Sequence, residues 1–88
     1  MVVHVKTTSG FEADIEQSKV YDNYELVELL VPWEKGNLMA IVPAAKYILG
    51  EDLERLKEHV RDDEGVVKLS LIVPEITEII HALNGKNS

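Results

Sequence analysis

The spacing of apolar residues changes once along the chain, and this change sets the order of the predicted elements. From Phe11 to Glu16, apolar and acidic residues alternate, which is the spacing of a half-buried strand. β-branched residues open the chain, and the polar segment 6–10, which ends in a glycine, is typical of a turn. We therefore predict a β-hairpin over residues 2–16. An isolated hairpin is barely stable in water, so it should lie on other elements.

Beyond the hairpin, apolar residues recur at the spacing of helices that bury one face. Asp22 and Glu25 have the residue types and spacing of a capping box, which predicts a helix start. Gly50 and Gly65 are placed to end the second and third helices. The predicted elements after the hairpin are four helices at 23–34, 42–49, 51–63 and 69–83, and a polar tail at 84–88. The predicted fold is α+β, mostly α: an N-terminal β-hairpin followed by about four short helices.

Three prolines lie within or beside the predicted helices. Proline lacks a backbone donor and crowds the preceding turn, so Pro32 should weaken the end of the first helix. Pro43 suits the first turn of the second helix, where a missing amide costs little. Residues 38–41 would then form a turn packed on the core. Pro74 should kink the last helix or delay its start.

The chain is short, acidic and free of cysteine, and these three properties limit the kinds of protein it can be. Its 88 residues predict a single domain, 1–88, held together by core packing or assembly because no disulfide can form. A net charge of −7 argues against nucleic acid as a partner. No apolar run approaches the roughly 20 residues that span a bilayer, and signal-peptide features are missing at the start. We expect a complete, soluble, cytoplasmic protein whose partner is another protein, with no membrane association.

Residues that often carry chemistry form no known catalytic or metal-binding pattern. The three histidines match no zinc motif, and Glu78 with His81 supplies only one of the Glu-x-x-His pairs of a di-iron bundle. The acidic turn at 62–65 lacks the alternating ligands of a calcium loop. No serine lies in a nucleophile motif, and no glycines form a phosphate loop. We expect no catalytic residue, no cofactor and no metal, and predict that the chain is not an enzyme.

One segment has more apolar surface than a small domain buries easily. Residues 38–49 are apolar on nearly every side, apart from Lys46. Such a helix is normally buried, so part of it is a candidate interface for a partner or for self-association. Aromatic residues dominate binding hot spots, so Trp33, Tyr47 and the neighbouring Ile48 are the candidate partner-binding residues. Trp33 shares a stripe with leucines, which favours a core position instead, whereas for Tyr47 neither interpretation is favoured.

The order of these features resembles one known family. They are the Gly-Phe turn at 9–12, the Asp-x-x-Glu-Leu-x-Glu-x-Leu helix start at 22–30, the Leu-Gly-Glu junction at 49–51, the segment 56–67 and the amphipathic helix ending at Leu83. In this order and spacing, they resemble the small tail assembly chaperones of long-tailed, siphovirus-type bacteriophages and prophages of Gram-positive bacteria. Pro32 and Pro74 depart from the pattern of that family, in which helix formers are more usual.

The resemblance implies a function without catalytic chemistry. Such chaperones coat the tape measure protein and keep its apolar stretches in solution until tail tube subunits polymerise around it, after which they are lost. The family often makes a longer product by ribosomal frameshifting near the end of the short gene. The codons GGA AAA AAC for residues 85–87 would contain the slippery heptamer A AAA AAC, so a frameshifted product is a further hypothesis.

Two other functions remain open from the residues alone. A small adaptor or antitoxin-like regulator would use its acidic surface to neutralise a basic protein partner, and its binding would collapse at high salt. A small enzyme subunit or metal carrier would contain bound metal when purified.

Overall fold

The computed structural model describes residues 1–84 and consists there of a two-stranded antiparallel sheet followed by four α-helices. This confirms the predicted α+β, mostly α fold with an N-terminal hairpin. The elements are β1 (Val2–Lys6), β2 (Glu12–Glu16), α1 (Tyr24–Glu34), α2 (Ile41–Leu49), α3 (Asp52–Val60) and α4 (Leu69–Asn84). Short 3₁₀ helices at Gln17–Lys19 and Leu38–Ala40 precede α1 and α2. Of the predicted polar tail at 84–88, Asn84 ends α4, and 85–88 lie outside the described residues.

The hairpin buries one face because its side chains alternate between the core and solvent. Val5 lies opposite Ala13 and Val3 opposite Ile15 in the register of β1 on β2, and these side chains point into the core. β1 packs on α4, which supplies the support that an isolated hairpin lacks. Gly10 closes the turn with a φ of +99°, a conformation that favours glycine.

The start of α1 differs from the prediction by one residue. Asn23, not Asp22, is the N-cap: it has extended backbone, and its side-chain oxygen accepts a hydrogen bond from the Leu26 amide at 3.0 Å. Asp22 has a φ of +56° and lies just outside the helix. The Asn23 amide group also donates to the Ser18 carbonyl at 2.7 Å and to the Tyr47 hydroxyl at 2.9 Å. A carboxylate could not donate these two bonds, so the asparagine is the residue that fits.

α3 ends at Val60, three residues before the predicted end at 63. The reason is Asp62, whose Oδ1 accepts hydrogen bonds from the amides of Glu64 and Val66 at 2.9 Å each. A short acidic side chain that bonds the backbone ahead of it offers an alternative to helix, and here it forms a turn. The hydrogen bond from the Val66 amide is the main cause of the lowered pKa of Asp62.

Of the two effects predicted for Pro74, a kink in the last helix or a delayed start, the structure excludes the delayed start. α4 begins at Leu69, so Pro74 does not delay its start, and the amides of Leu71 and Ile72 already bond to the Lys68 carbonyl at 3.0 Å each. α1 continues through Pro32 to Glu34, as predicted for its end. Residues 38–40 form a single turn of 3₁₀ helix and Ile41 begins α2; Ala40 and Ile41 are buried, in agreement with the predicted turn packed on the core.

The core lies between the inner face of the hairpin and the helices. Its fully buried large side chains come from three helices: Ile41, Leu56, Ile79 and Leu83. α1 contributes Leu26 as its one buried residue, and its Leu29, Leu30 and Trp33 are half-buried against the core. None of the helices in residues 1–84 is long and apolar enough to cross a membrane.

Candidate functional site

An exposed apolar surface runs along α1 and onto the start of α2. On α1 it consists of Tyr24, Val27 and Val31, which share one face because they are separated by three and four residues. α1 packs against the 3₁₀ helix before α2, where Leu38 and Met39 are also exposed. Val42 of α2 completes the set. We call these six residues the apolar surface: Tyr24, Val27, Val31, Leu38, Met39 and Val42.

A groove adjoins the apolar surface between α2, α3 and α4. It has a volume of about 240 Å³ and is lined by Ile41, Val42, Ala45, Lys46, Leu53, Lys57, Val67, Leu69, Ile72 and Ile76. Val42 belongs to both the groove and the apolar surface, so the two are continuous there. The polar side chains of the groove are both lysines, although the chain as a whole is acidic. Lys57 bonds to Glu54 at 3.1 Å, whereas Lys46 forms no ion pair with any residue in 1–84.

The structure separates the three predicted partner-binding residues. Trp33 is half-buried and packs against the core from α1. Tyr47 is also half-buried, with its hydroxyl accepting from Asn23 and its ring 4.8 Å below the Lys19 ammonium. Ile48 is 4% exposed and belongs to the core, so its side chain has no surface to offer a partner. None of the three lies on the apolar surface or lines the groove.

A second depression, lined in part by charged residues, lies on the hairpin side of the molecule. It is wide and shallow, about 670 Å³, and is lined by Gly10, Phe11, Glu12, Glu54, Arg55, Glu58 and His59. The Arg55 guanidinium donates to the Glu12 carbonyl at 3.1 Å, pairs with Asp52 at 2.9 Å and lies 5.1 Å from the Phe11 ring. The arginine therefore has internal partners, and the carboxylates of Glu12, Glu54 and Glu58 give this depression an acidic rim.

The histidines lie apart and have separate surroundings. His4, on the exposed face of the hairpin, bonds to Asp14 at 2.8 Å and to Glu12 at 2.7 Å, and these two bonds raise its pKa above 6.5. His59 shares a hydrogen bond of 3.0 Å with the Ser9 hydroxyl. Within residues 1–84, no three or more histidines and carboxylates are grouped so that they could hold a metal ion. The Glu78 carboxylate accepts two bonds from Thr8.

The sequence reasoning missed two features of the surface. The groove combines residues from three helices and the loop before α4, so no local pattern contains it. Glu75 was also missed, although a signal was present: it lies four residues from both Leu71 and Ile79, at the spacing of one apolar helix face. Its side chain is buried, and its Oε1 has no hydrogen-bond partner in the described structure.

Comparison with known proteins identifies no relative of the chain. No protein-family model, no curated protein and no solved structure matches the chain. Its function therefore has to be inferred from its sequence and its surface, on which the exposed apolar residues and the adjoining groove are the features suited to binding another protein.

Proposed function

We propose that the chain is a non-enzymatic tail assembly chaperone, which binds apolar helical stretches of a phage tape measure protein and shields them in the host cytoplasm. The observation that carries the proposal is the apolar surface and its continuation into the groove. Six exposed apolar residues lie on α1, on the 3₁₀ helix that packs against it and on α2, and exposed apolar patches are typical of protein–protein contacts. The order of sequence features shared with the tail chaperones supplies the identity of the partner.

An amphipathic helix is the partner that this shape suits best. Its apolar residues, spaced three or four apart, would lie along Tyr24, Val27 and Val31, with one side chain entering the groove beside Val42. Lys46 and Lys57 at the groove would favour acidic residues next to the apolar ones. Binding at each site can be weak, because many copies on one long partner add avidity and tail tube subunits must later displace them.

A matched pair of valine substitutions tests the proposal by co-expression with the tape measure protein of the same genome. We expect the unaltered chain to keep that protein soluble and to co-purify with it. Val27→Glu places a charge on the apolar surface and should reduce the co-purified amount at least about tenfold, since burying an unpaired carboxylate is costly. Val2→Glu adds the same charge at an equally exposed position on the hairpin and should leave binding unchanged. Equal effects of the two variants, or no soluble tape measure protein with the unaltered chain, would refute the proposal.

Intact mass spectrometry provides an independent test. The gene is expressed with its natural downstream DNA, and the products are weighed. A second, longer product with the same N-terminus supports the chaperone function, because frameshifting is common in that family. A single product counts against the slippery heptamer. The adaptor function would then be nearly as well supported as the chaperone function.

The alternative function, an adaptor or antitoxin-like regulator, is favoured by the acidic rim of the depression at Glu12, Glu54 and Glu58. Such a rim would attract a basic protein partner, and the attraction would be screened by salt. Raising the salt concentration distinguishes the two functions. Contacts through the apolar surface should persist or strengthen at high salt, whereas binding through the acidic rim should be lost.

A further inference from the structure

A recess lies where the hairpin turn, the end of α3 and the middle of α4 meet. It has a volume of about 360 Å³ and is lined by Ser9, His59, Val60, Leu71 and Glu75. The turn is held over it from two sides. Thr8 donates to the Glu78 carboxylate through its amide and its hydroxyl, at 2.8 Å each, and Ser9 shares its hydrogen bond with His59. The recess is thus framed by contacts between elements that are distant in the sequence.

Glu75 is the unusual residue of this recess. It is 7% exposed, and its Oε1 is out of contact with solvent without a hydrogen-bond donor among residues 1–84. Buried polar atoms nearly always have a partner, and a carboxylate without one weakens the fold. By contrast, the other buried polar residue, Thr7, accepts a hydrogen bond from the Phe11 amide at 3.2 Å. A donor supplied from outside the chain would account for Glu75.

We propose that this recess binds a primary ammonium group on an alkyl chain, such as the side chain of a lysine on a protein partner. The ammonium group would donate to Glu75, with the Ser9 hydroxyl as a further acceptor. The methylene groups would lie against Val60 and Leu71, as lysine stems do on apolar surfaces. A compact ammonium suits a single buried oxygen better than a planar guanidinium, which needs a matching pair of acceptors. This site is separate from the groove and does not depend on the tape measure proposal.

An NMR titration of the full chain with n-butylammonium chloride tests the proposal, with matched sodium chloride as the salt reference. We expect saturable shifts of the Ser9, Val60 and Glu75 amides, and a rise in melting temperature with added butylammonium. 1-Butanol, which has the same alkyl chain but no charge, should give no saturable shift at these residues.

Two single-residue variants complete the experiment. Glu75→Gln removes the charge in the recess and should weaken butylammonium binding at least tenfold, whereas Glu28→Gln removes one exposed charge on α1 and should not. Glu75→Met serves the same purpose if the glutamine variant folds poorly. Shifts that match those from sodium chloride, that persist in the Glu75 variants, or that 1-butanol reproduces would overturn the proposal.

Discussion

The hairpin and α1 differ in how their apolar side chains are covered. In the hairpin, one face lies on α4, and polar contacts secure it: Thr8 bonds to Glu78, and the Gln17 side chain donates to the Leu83 carbonyl at 3.1 Å. α1 packs mainly against α2 and the 3₁₀ helix before it. Its Leu29, Leu30 and Trp33 are half-buried against the core, whereas Tyr24, Val27 and Val31 remain exposed. Val5 of β1 is 3% exposed, whereas Val27 of α1 is 55% exposed.

The difference shows that two things decide whether an apolar side chain is covered. They are the spacing of apolar residues in its own element and the elements that pack against that element. Strict alternation places every apolar residue of β2 on one face, so a single helix can cover them all. α1 carries apolar residues around most of its circumference, and one neighbouring helix cannot cover such a surface. The uncovered part of α1 is available for a partner. If it is, substitutions there should have little effect on the free energy of unfolding.

The largest effect should come from matched valine-to-alanine substitutions in the two regions. Val5→Ala removes buried methyl groups and should lower the free energy of unfolding by about 2 kcal/mol. Val27→Ala should change it by less than about 0.5 kcal/mol, because its side chain is exposed and alanine favours helix. Urea denaturation measures both. A loss at Val27 as large as that at Val5 would mean that α1 is covered in solution.

Glu75→Met should raise the free energy of unfolding, by about 1 to 2 kcal/mol, because it replaces an unpartnered buried carboxylate with an apolar side chain of similar length. Glu28→Met on the exposed face of α1 should change it little. Urea denaturation measures the free energy of unfolding of both variants. A destabilised Glu75→Met variant would show that the carboxylate has a hydrogen-bond partner in solution. The recess beside the hairpin turn would then contain no buried polar atom without a partner.

Much of the fold followed from the sequence because it depends on local pattern. Alternation at 11–16 identified β2, and Gly50 marked the end of α2. The N-cap of α1 did not follow, since aspartate and asparagine both cap well and the choice of Asn23 depends on its bond to Tyr47, 24 residues away. Of the candidate site, only the excess apolar surface at 38–42 was anticipated. The groove and the Glu75 recess arise from packing between helices, which no local pattern encodes.

Asn23→Ala should lower the free energy of unfolding by about 1 kcal/mol, because it removes the cap of α1, a bond to the Ser18 carbonyl and a bond to Tyr47 of α2. Asn37→Ala provides the matched control: Asn37 caps only the short 3₁₀ helix, through the Met39 amide at 3.1 Å, and its loss should cost less. If the two variants are equally stable, the bonds of Asn23 to Ser18 and Tyr47 do not hold α1 in place.

The smallest effect concerns the solvent face of the hairpin, where His4 bonds to Asp14 and Glu12. Because these bonds raise the pKa of His4 in the folded state, their stabilisation is fully present below the unfolded value of about 6.5 and is lost as pH rises through the folded pKa. Wild type should therefore exceed His4→Gln in melting temperature by more at about pH 5.5 than at about pH 8.5. Asp14→Asn should shrink this difference and, by NMR titration, bring the pKa of His4 closer to 6.5. A difference that is constant with pH would mean that the bonds of His4 to Asp14 and Glu12 do not stabilise the fold.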